Sequence, residues 1–154
     1  MQRQNRVVIT GMGLFHSPEA GYIKLDDQEL QDLLPGINFR SVNRQSIFAG
    51  IAARRAIATY LEEAGFQPEQ TGVVMGSTFG AVTSIGEFYR KALGEGVNAV
   101  SPMEFPNTVA NAPASRVGIW LKLKGPSISL SDGLISGLNA VGYAYDEIRY
   151  QKAE

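Results

Sequence analysis

Gly125-Pro126-Ser127-Ile128-Ser129-Leu130-Ser131-Asp132-Gly133-Leu134-Ile135-Ser136-Gly137 reads as a buried strand, a tight turn and the start of a helix. Ile128 and Leu130 are the apolar residues of the run, flanked by Ser127 and Ser129. Pro126 suits a strand's first position, where a missing ladder donor does little harm. Ser131, Asp132 and Gly133 are turn formers. From Ile135 an apolar series continues through Leu138, Val141 or Gly142, Tyr145 and Ile148, which is helical spacing. A strand-to-helix turn of this kind displays one side chain at a helix N-terminus, where free N–H groups and the dipole favour an anion. Enzymes use such turns to hold a nucleophile and an oxyanion. The residue at this tip is Leu134, which has no such chemistry.

Upstream, residues 6–10 form a short apolar run ending at Gly11 and predict a buried parallel strand. Gly11-Met12-Gly13 lacks a third glycine, because His16 stands there, so it reads as a tight exit from a strand and not a dinucleotide fingerprint. Residues 14–43 are the least legible, with a short helix from about Asp27 to Leu34, capped by Asp26 or Asp27 and stopped by Pro35-Gly36. His16, the sole histidine, has no Cys or close carboxylate beside it and reads as a surface or loop residue. Arg44 to Ala64 predicts a long helix through Ile47, Ile51, Ala58 and Leu61, with small residues at 49, 50, 52 and 53 for close packing and Gly65 as its stop. Arg54-Arg55 on it reads either as a docking patch for an acidic protein or, more simply, as a solvated face.

Residues 72–77 predict a second strand, followed by a helix from about Val82 to Leu93 ended by Gly94 and Gly96. No Gly-Lys-Ser/Thr and no Gly-x-Ser-x-Gly occurs there, so phosphate-loop and hydrolase readings fail. Pro102, Pro106 and Pro113 make 101–113 a loop with a short helical turn, and a helix follows from about Ala114 to Leu123, apolar over much of its surface. The order β, α, β, α, α, β, α implies an α/β layered domain with a mainly parallel sheet. Three strands are few, and open edges invite another chain.

A chain of 154 residues fits one domain, 1–154, with a real core. A net charge of −1 gives no reason to expect a nucleic-acid or anionic-membrane partner. No apolar run approaches the ~20 residues of a membrane span. The opening residues, Met1 to Arg6, lead into a strand without an apolar targeting core, so the expected compartment is the cytoplasm. The absence of cysteine removes disulfides, thiolate metal sites and thiol nucleophiles together. No cofactor and no metal are expected.

The stretch 125–137 resembles the nucleophile elbow of the β-ketoacyl-acyl-carrier-protein synthases, in the thiolase superfamily, whose members read roughly G-P-S/N-x-x-x-x-T-A-C-x-S-G. Gly125-Pro126-Ser127 and Ser136-Gly137 match, and Leu134 falls on the Cys. Arg6 to Gly13 resembles the family's opening strand, Gly72 to Ser77 its next strand, and Phe105 to Ala114 the segment before the helix that leads into the elbow. The resemblance implies a thiolase-like layered fold, of which this chain is part of the N-terminal half. The family's catalytic histidines belong to a second half. Phe105, Asn107 and Thr108 become candidates for the acyl channel and subunit interface, or residues that only order a long loop. Ser127 and Ser129 lie on the strand that in the family pairs with its copy across a two-fold axis.

Two readings follow. The first is a non-catalytic, chain-length-factor-like subunit of fatty-acid or polyketide synthesis, paired as homodimer or heterodimer with a ketosynthase-like chain and touching acyl carrier protein. Leu134 then fills the vestigial nucleophile position. The second is a structural remnant or truncated synthase without independent activity. Condensation by this chain alone is not expected, because a nucleophile and its assisting groups are both required.

Overall fold

The computed structural model describes residues 6–16, 23–61 and 66–150. The elements are α1 (Asp27–Leu33), α2 (Arg44–Leu61), β1 (Val73–Gly76), α3 (Val82–Glu95), α4 (Ala112–Trp120), β2 (Ser127–Leu130) and α5 (Ser136–Arg149), with 3-10 turns at Val97–Ala99, Phe105–Asn107 and Gly133–Ile135. The expected α/β architecture with a parallel sheet is present. The strands β1 and β2 pair in register, Val73 with Ser127 through Gly76 with Leu130. The ladder continues one step beyond, where Ser77 N–H donates to the Leu130 carbonyl at 3.0 Å. Helices α4 and α5 pack on both strands, and α2 packs on α4.

The core lies where the sequence is hardest to read. Leu30, Leu34, Ile47 and Ile51 are buried together, with Phe15, Leu25, Phe39, Phe48 and Trp120 against them. Helix α1 begins on the expected cap: Asp26 Oδ1 accepts from Glu29 N–H and Glu29 Oε2 accepts from Asp26 N–H, each at 2.8 Å. This reciprocal box satisfies two helix-start groups and makes a seven-residue helix sustainable.

Several expectations change. Residues 6–10 are not a strand: Val8 and Ile9 are exposed, and no ladder partner reaches them. The described sheet therefore has two strands and not three. The segment is held by α2 instead. A Cβ on Gly11 would lie 2.2 Å from the Ala56 carbonyl oxygen, and one on Gly13 would lie 1.9 Å from that of Ala52. These glycines let a chain segment cross a helix closely and do not merely close a strand. Arg55 strengthens that crossing, donating to the Leu14 carbonyl at 2.5 Å and lying over the Phe15 ring. The docking-patch reading of Arg54-Arg55 is thereby weakened at Arg55, which is committed within the chain.

Both strands are half-buried, not buried. Gly94 lies inside α3 and Gly96, at φ 93°, closes it. Helix α4 starts two residues early, with Pro113 in its first turn, where proline's missing donor is harmless. It closes on Lys122 in the left-handed region, where Leu123 N–H reaches the Gly118 carbonyl. Helix α2 is described to Leu61, and its expected end at residues 62–65 lies outside the described residues, as do 151–154.

The apolar series on α5 faces outward. Leu138, Val141 and Tyr145 are exposed, while Ser136, Ala140 and Glu147 are buried. In its first turns small residues, Ser136 and Ala140, turn inward because α5 approaches β1 too closely there for large ones. A Cβ on Gly76 would meet the Ser136 carbonyl oxygen at 2.2 Å and Gly137 N at 2.7 Å. Both neighbours are backbone and cannot rotate away.

Gly76→Ala is expected to destabilise the fold by about 3 kcal/mol, a fall in melting temperature of roughly 6–12 °C. Gly86, in exposed helix with open space around its missing Cβ, is expected to respond with the opposite sign. Gly86→Ala should stabilise by about 1 kcal/mol. Thermal unfolding of the two variants checks both signs.

Candidate functional site

The elbow sits at the C-terminal edge of the parallel strands, the edge at which open α/β sheets bind ligands. Three loops converge there. Gly80, at φ 55°, would carry a Cβ 3.8 Å from both the Ala110 Cβ and the Ser131 Oγ. Loop 77–80 after β1, residues 109–111 before α4 and residues 131–135 after β2 therefore form one surface.

The turn is fixed by Ser136, which is 1% exposed. Its hydroxyl donates to the Gly133 carbonyl at 2.6 Å and accepts from Asp132 N–H at 2.8 Å. Gly133 takes φ 68°, a conformation that a Cβ would oppose. The Asp132 carboxylate accepts from Asn139 Nδ2 at 3.1 Å. A 3-10 turn then leads straight into α5. The geometry displays the tip residue fully: Leu134 is 93% exposed. It fills no pocket of this chain.

Ser77 stabilises the neighbouring loop, its Oγ accepting from Gly80 N–H at 3.0 Å and from Gln45 Nε2 at 2.6 Å. Phe79 projects from that loop, exposed. With Val82, Val109, Leu134 and Ile135, also exposed, it makes the elbow face apolar.

The other residues singled out from sequence do not gather at the tip. Phe105 is 57% exposed, its ring edge-on to Phe88 at 6.1 Å. Thr108 Oγ1 donates to the Phe105 carbonyl at 2.8 Å, closing its own turn. Asn107 is buried and faces inward, to Ser41 and Arg116. Ser127 is exposed at the far end of β2, about 10 Å of strand from the elbow. Ser129 is opposite Met75 and its Oγ is buried with no hydrogen bond. Residues that pattern reading passed over are Gln45, Ser77 and Arg116. Arg116 was visible as the one charge in an otherwise apolar helical run.

Among the described residues, no group of three or more His, Asp or Glu side chains is placed to hold a metal ion, and no helix is long and apolar enough to cross a membrane. The Glu69 carboxyl is held below the ordinary carboxylate range, first by the hydrogen bond from Lys124 Nζ at 2.6 Å, then by its own backbone N–H and the Lys124 charge. That pair joins the loops entering β1 and β2, at the opposite end of the sheet from the elbow.

The model of the beta-ketoacyl synthase N-terminal domain matches residues 14–154. The chain belongs to the beta-ketoacyl synthase family. It is 27% identical to the 3-oxoacyl-(acyl-carrier-protein) synthase 2 of Vibrio harveyi, over 98% of this chain and 44% of that protein. It is 32% identical to the corresponding synthase 2 of Rhizobium meliloti, over 68% of this chain and 25% of that one. The solved ishigamide ketosynthase/chain length factor superposes with a TM-score of 0.68 at 27% identity, covering 80% of this chain and 35% of that one. The layered arrangement is thus that of the thiolase-like ketosynthases, and the chain spans less than half the length of these relatives.

Removing the hydroxyl that ties this ketosynthase-like elbow should cost about 1 kcal/mol, because Ser136→Ala removes the acceptor of the Asp132 N–H and the donor to the Gly133 carbonyl. Hydrogen exchange of the Asp132 and Ser136 amides, bonded to the Ser136 hydroxyl and the Gly133 carbonyl, should accelerate with the loss. Unchanged stability and unchanged exchange would contradict this account of the turn.

Proposed function

We propose that this chain is a non-catalytic, ketosynthase-like subunit that acts by pairing with a synthase chain in fatty-acid or polyketide synthesis. The observation that carries the reading is Leu134, apolar and 93% exposed where the family resemblance puts the nucleophile. Condensation needs a side chain to carry the acyl group and groups to assist decarboxylation of the extender. Ser136 cannot substitute for the nucleophile, because its hydroxyl is buried and committed to two hydrogen bonds within the turn. Ser131 is exposed but precedes the tip, and the sole histidine, His16, is far from it in sequence.

The rest of the surface supports pairing. Phe79, Val82, Leu134, Leu138 and Val141 are exposed on loops and helices around the elbow. Exposed apolar side chains in this number are a feature of surfaces that associate with other proteins. A chain-length-factor-like role is the specific form of the proposal, supported by likeness to a solved ketosynthase/chain length factor. The partner is then a Cys-bearing ketosynthase chain, with acyl carrier protein as a further visitor and the cytoplasm as the compartment. Leu134 would sit against the partner or the acyl tunnel wall.

Native mass spectrometry of the chain purified gently from its source tests the proposal. A complex with a Cys-bearing ketosynthase supports it. A homo-oligomer or monomer with nothing bound favours the structural-remnant reading.

Two substitutions sharpen the test. Leu134→Asp should leave the melting temperature unchanged and weaken the complex by about 10- to 100-fold, since a charge would have to be desolvated in the contact. Leu134→Cys should yield no β-ketoacyl product from this chain alone, measured by product mass. Product formation would overturn the non-catalytic reading.

A further inference from the structure

A hydrogen-bonded ring away from the elbow tip joins three segments that sequence reading left separate. Asn107, in the turn Phe105–Asn107, is 7% exposed. Its Nδ2 donates to the Ser41 carbonyl at 2.8 Å. Its Oδ1 accepts from Arg116 Nη2 at 2.9 Å, and the same nitrogen reaches the Ser41 carbonyl at 3.3 Å. One carbonyl thus takes two donors, one of them charged, and the loop before α2, the turn and α4 close on each other. Ser41 holds φ 57°, a conformation disfavoured for any residue with a Cβ. It persists only where surrounding bonds over-determine it.

Apolar packing does not hold the turn. Phe105 and Pro106 are exposed, and the ring contact with Phe88 is edge-on. Beside the turn lies a cavity of about 190 Å³, lined by Ser41, Ser84, Glu87, Glu104 and Asn107 among others. A turn released from its bonds has room to move into it.

We propose that Arg116 is a positioning residue: through Asn107 it locks the Phe105–Thr108 turn and so fixes where Phe105 stands on the surface offered to the partner chain. The clause about the partner rests on the pairing reading above, whereas the lock itself does not. The guanidinium suits the task because it is planar, permanently charged and able to serve two acceptors at once. Lysine keeps the charge but lacks the planar fork that fixes the direction of its donors.

Hydrogen exchange on the full chain tests the lock. The amides of Glu104, Asn107 and Thr108 are bonded within the loop, to Ser101, Glu104 and Phe105 carbonyls. Arg116→Ala should speed their exchange by about 10- to 100-fold while the α5 amides keep theirs. Arg116→Lys should recover part of the protection. Asn107→Asp, which keeps a partner for Arg116 but sets a carboxylate against the Ser41 carbonyl, should release the same amides, and it serves if Arg116→Ala does not fold. Unchanged exchange at these amides, or a uniform rise throughout the chain, overturns the lock. With the partner found by native mass spectrometry, Arg116→Ala should weaken binding about as much as Phe105→Ala does. Released amides with undiminished binding overturn the partner role. If the unmodified chain binds no partner, the pairing reading is what fails, and exchange alone decides the lock.

Discussion

The structure depends on a backbone-to-backbone approach. The last residue of β1 meets the first turn of α5 with no room for a side chain between them. Gly76 makes that contact possible, and it fixes how deeply α5 seats on the sheet. Once α5 is seated, Ser136 is buried at its start, and its hydroxyl shapes the turn that joins it to β2. Gly133 supplies the backbone conformation that the turn requires. None of these groups needs a nucleophile at the tip. The elbow keeps its geometry because its supports lie beneath it, so the identity of the exposed side chain at position 134 matters little to the fold.

The same close approach explains why the first turns of α5 bury small residues, Ser136 and Ala140, while Leu138 stays exposed. Helix α3 behaves alike: its main contacts are with the 3-10 turns, and Ile85, Tyr89 and Leu93 are exposed. Each such side chain, if covered, contributes about 1.5–3 kcal/mol of burial. In relatives more than twice as long, further chain is available to do so.

Legibility followed the range of the interactions. The helices were readable because a 3.6-residue period and local caps are written within a few residues; Asp26 with Glu29 and the turn around Gly133 are examples. The elbow and its apolar tip were readable for the same reason. The orientation of α5 was not, because periodicity reports that a helix has an apolar face and not which partner meets it. Residues 6–10 carried a strand-like pattern, but a strand is made by a neighbour, and α2 captured the segment through Gly11 and Gly13. Half of the core was legible, because Ile47 and Ile51 follow the period of α2; Leu30 and Leu34 lie on a helix too short to show one, and Phe15 and Phe39 come from irregular segments. Asn107 was singled out for a channel and instead serves an internal bond. Its partners stand 66 and 9 residues away, beyond any local pattern.

The exposure of Leu134 separates two free energies that burial usually joins. A core leucine is exposed in the unfolded chain and covered in the folded one, so it contributes to folding. Leu134 is exposed in both, and its hydrophobic contribution to folding is therefore close to zero. Whatever free energy its side chain releases is released on contact with another surface. The same holds for Phe79, Leu138 and the outward face of α3. The fold thus rests on Leu34, Ile51, Val117 and the Gly76 contact, while its apolar exterior bears on association. That division gives the elbow a mechanical meaning: its turn presents a hydrophobic side chain to solvent, held in place by the Ser136 and Gly76 supports.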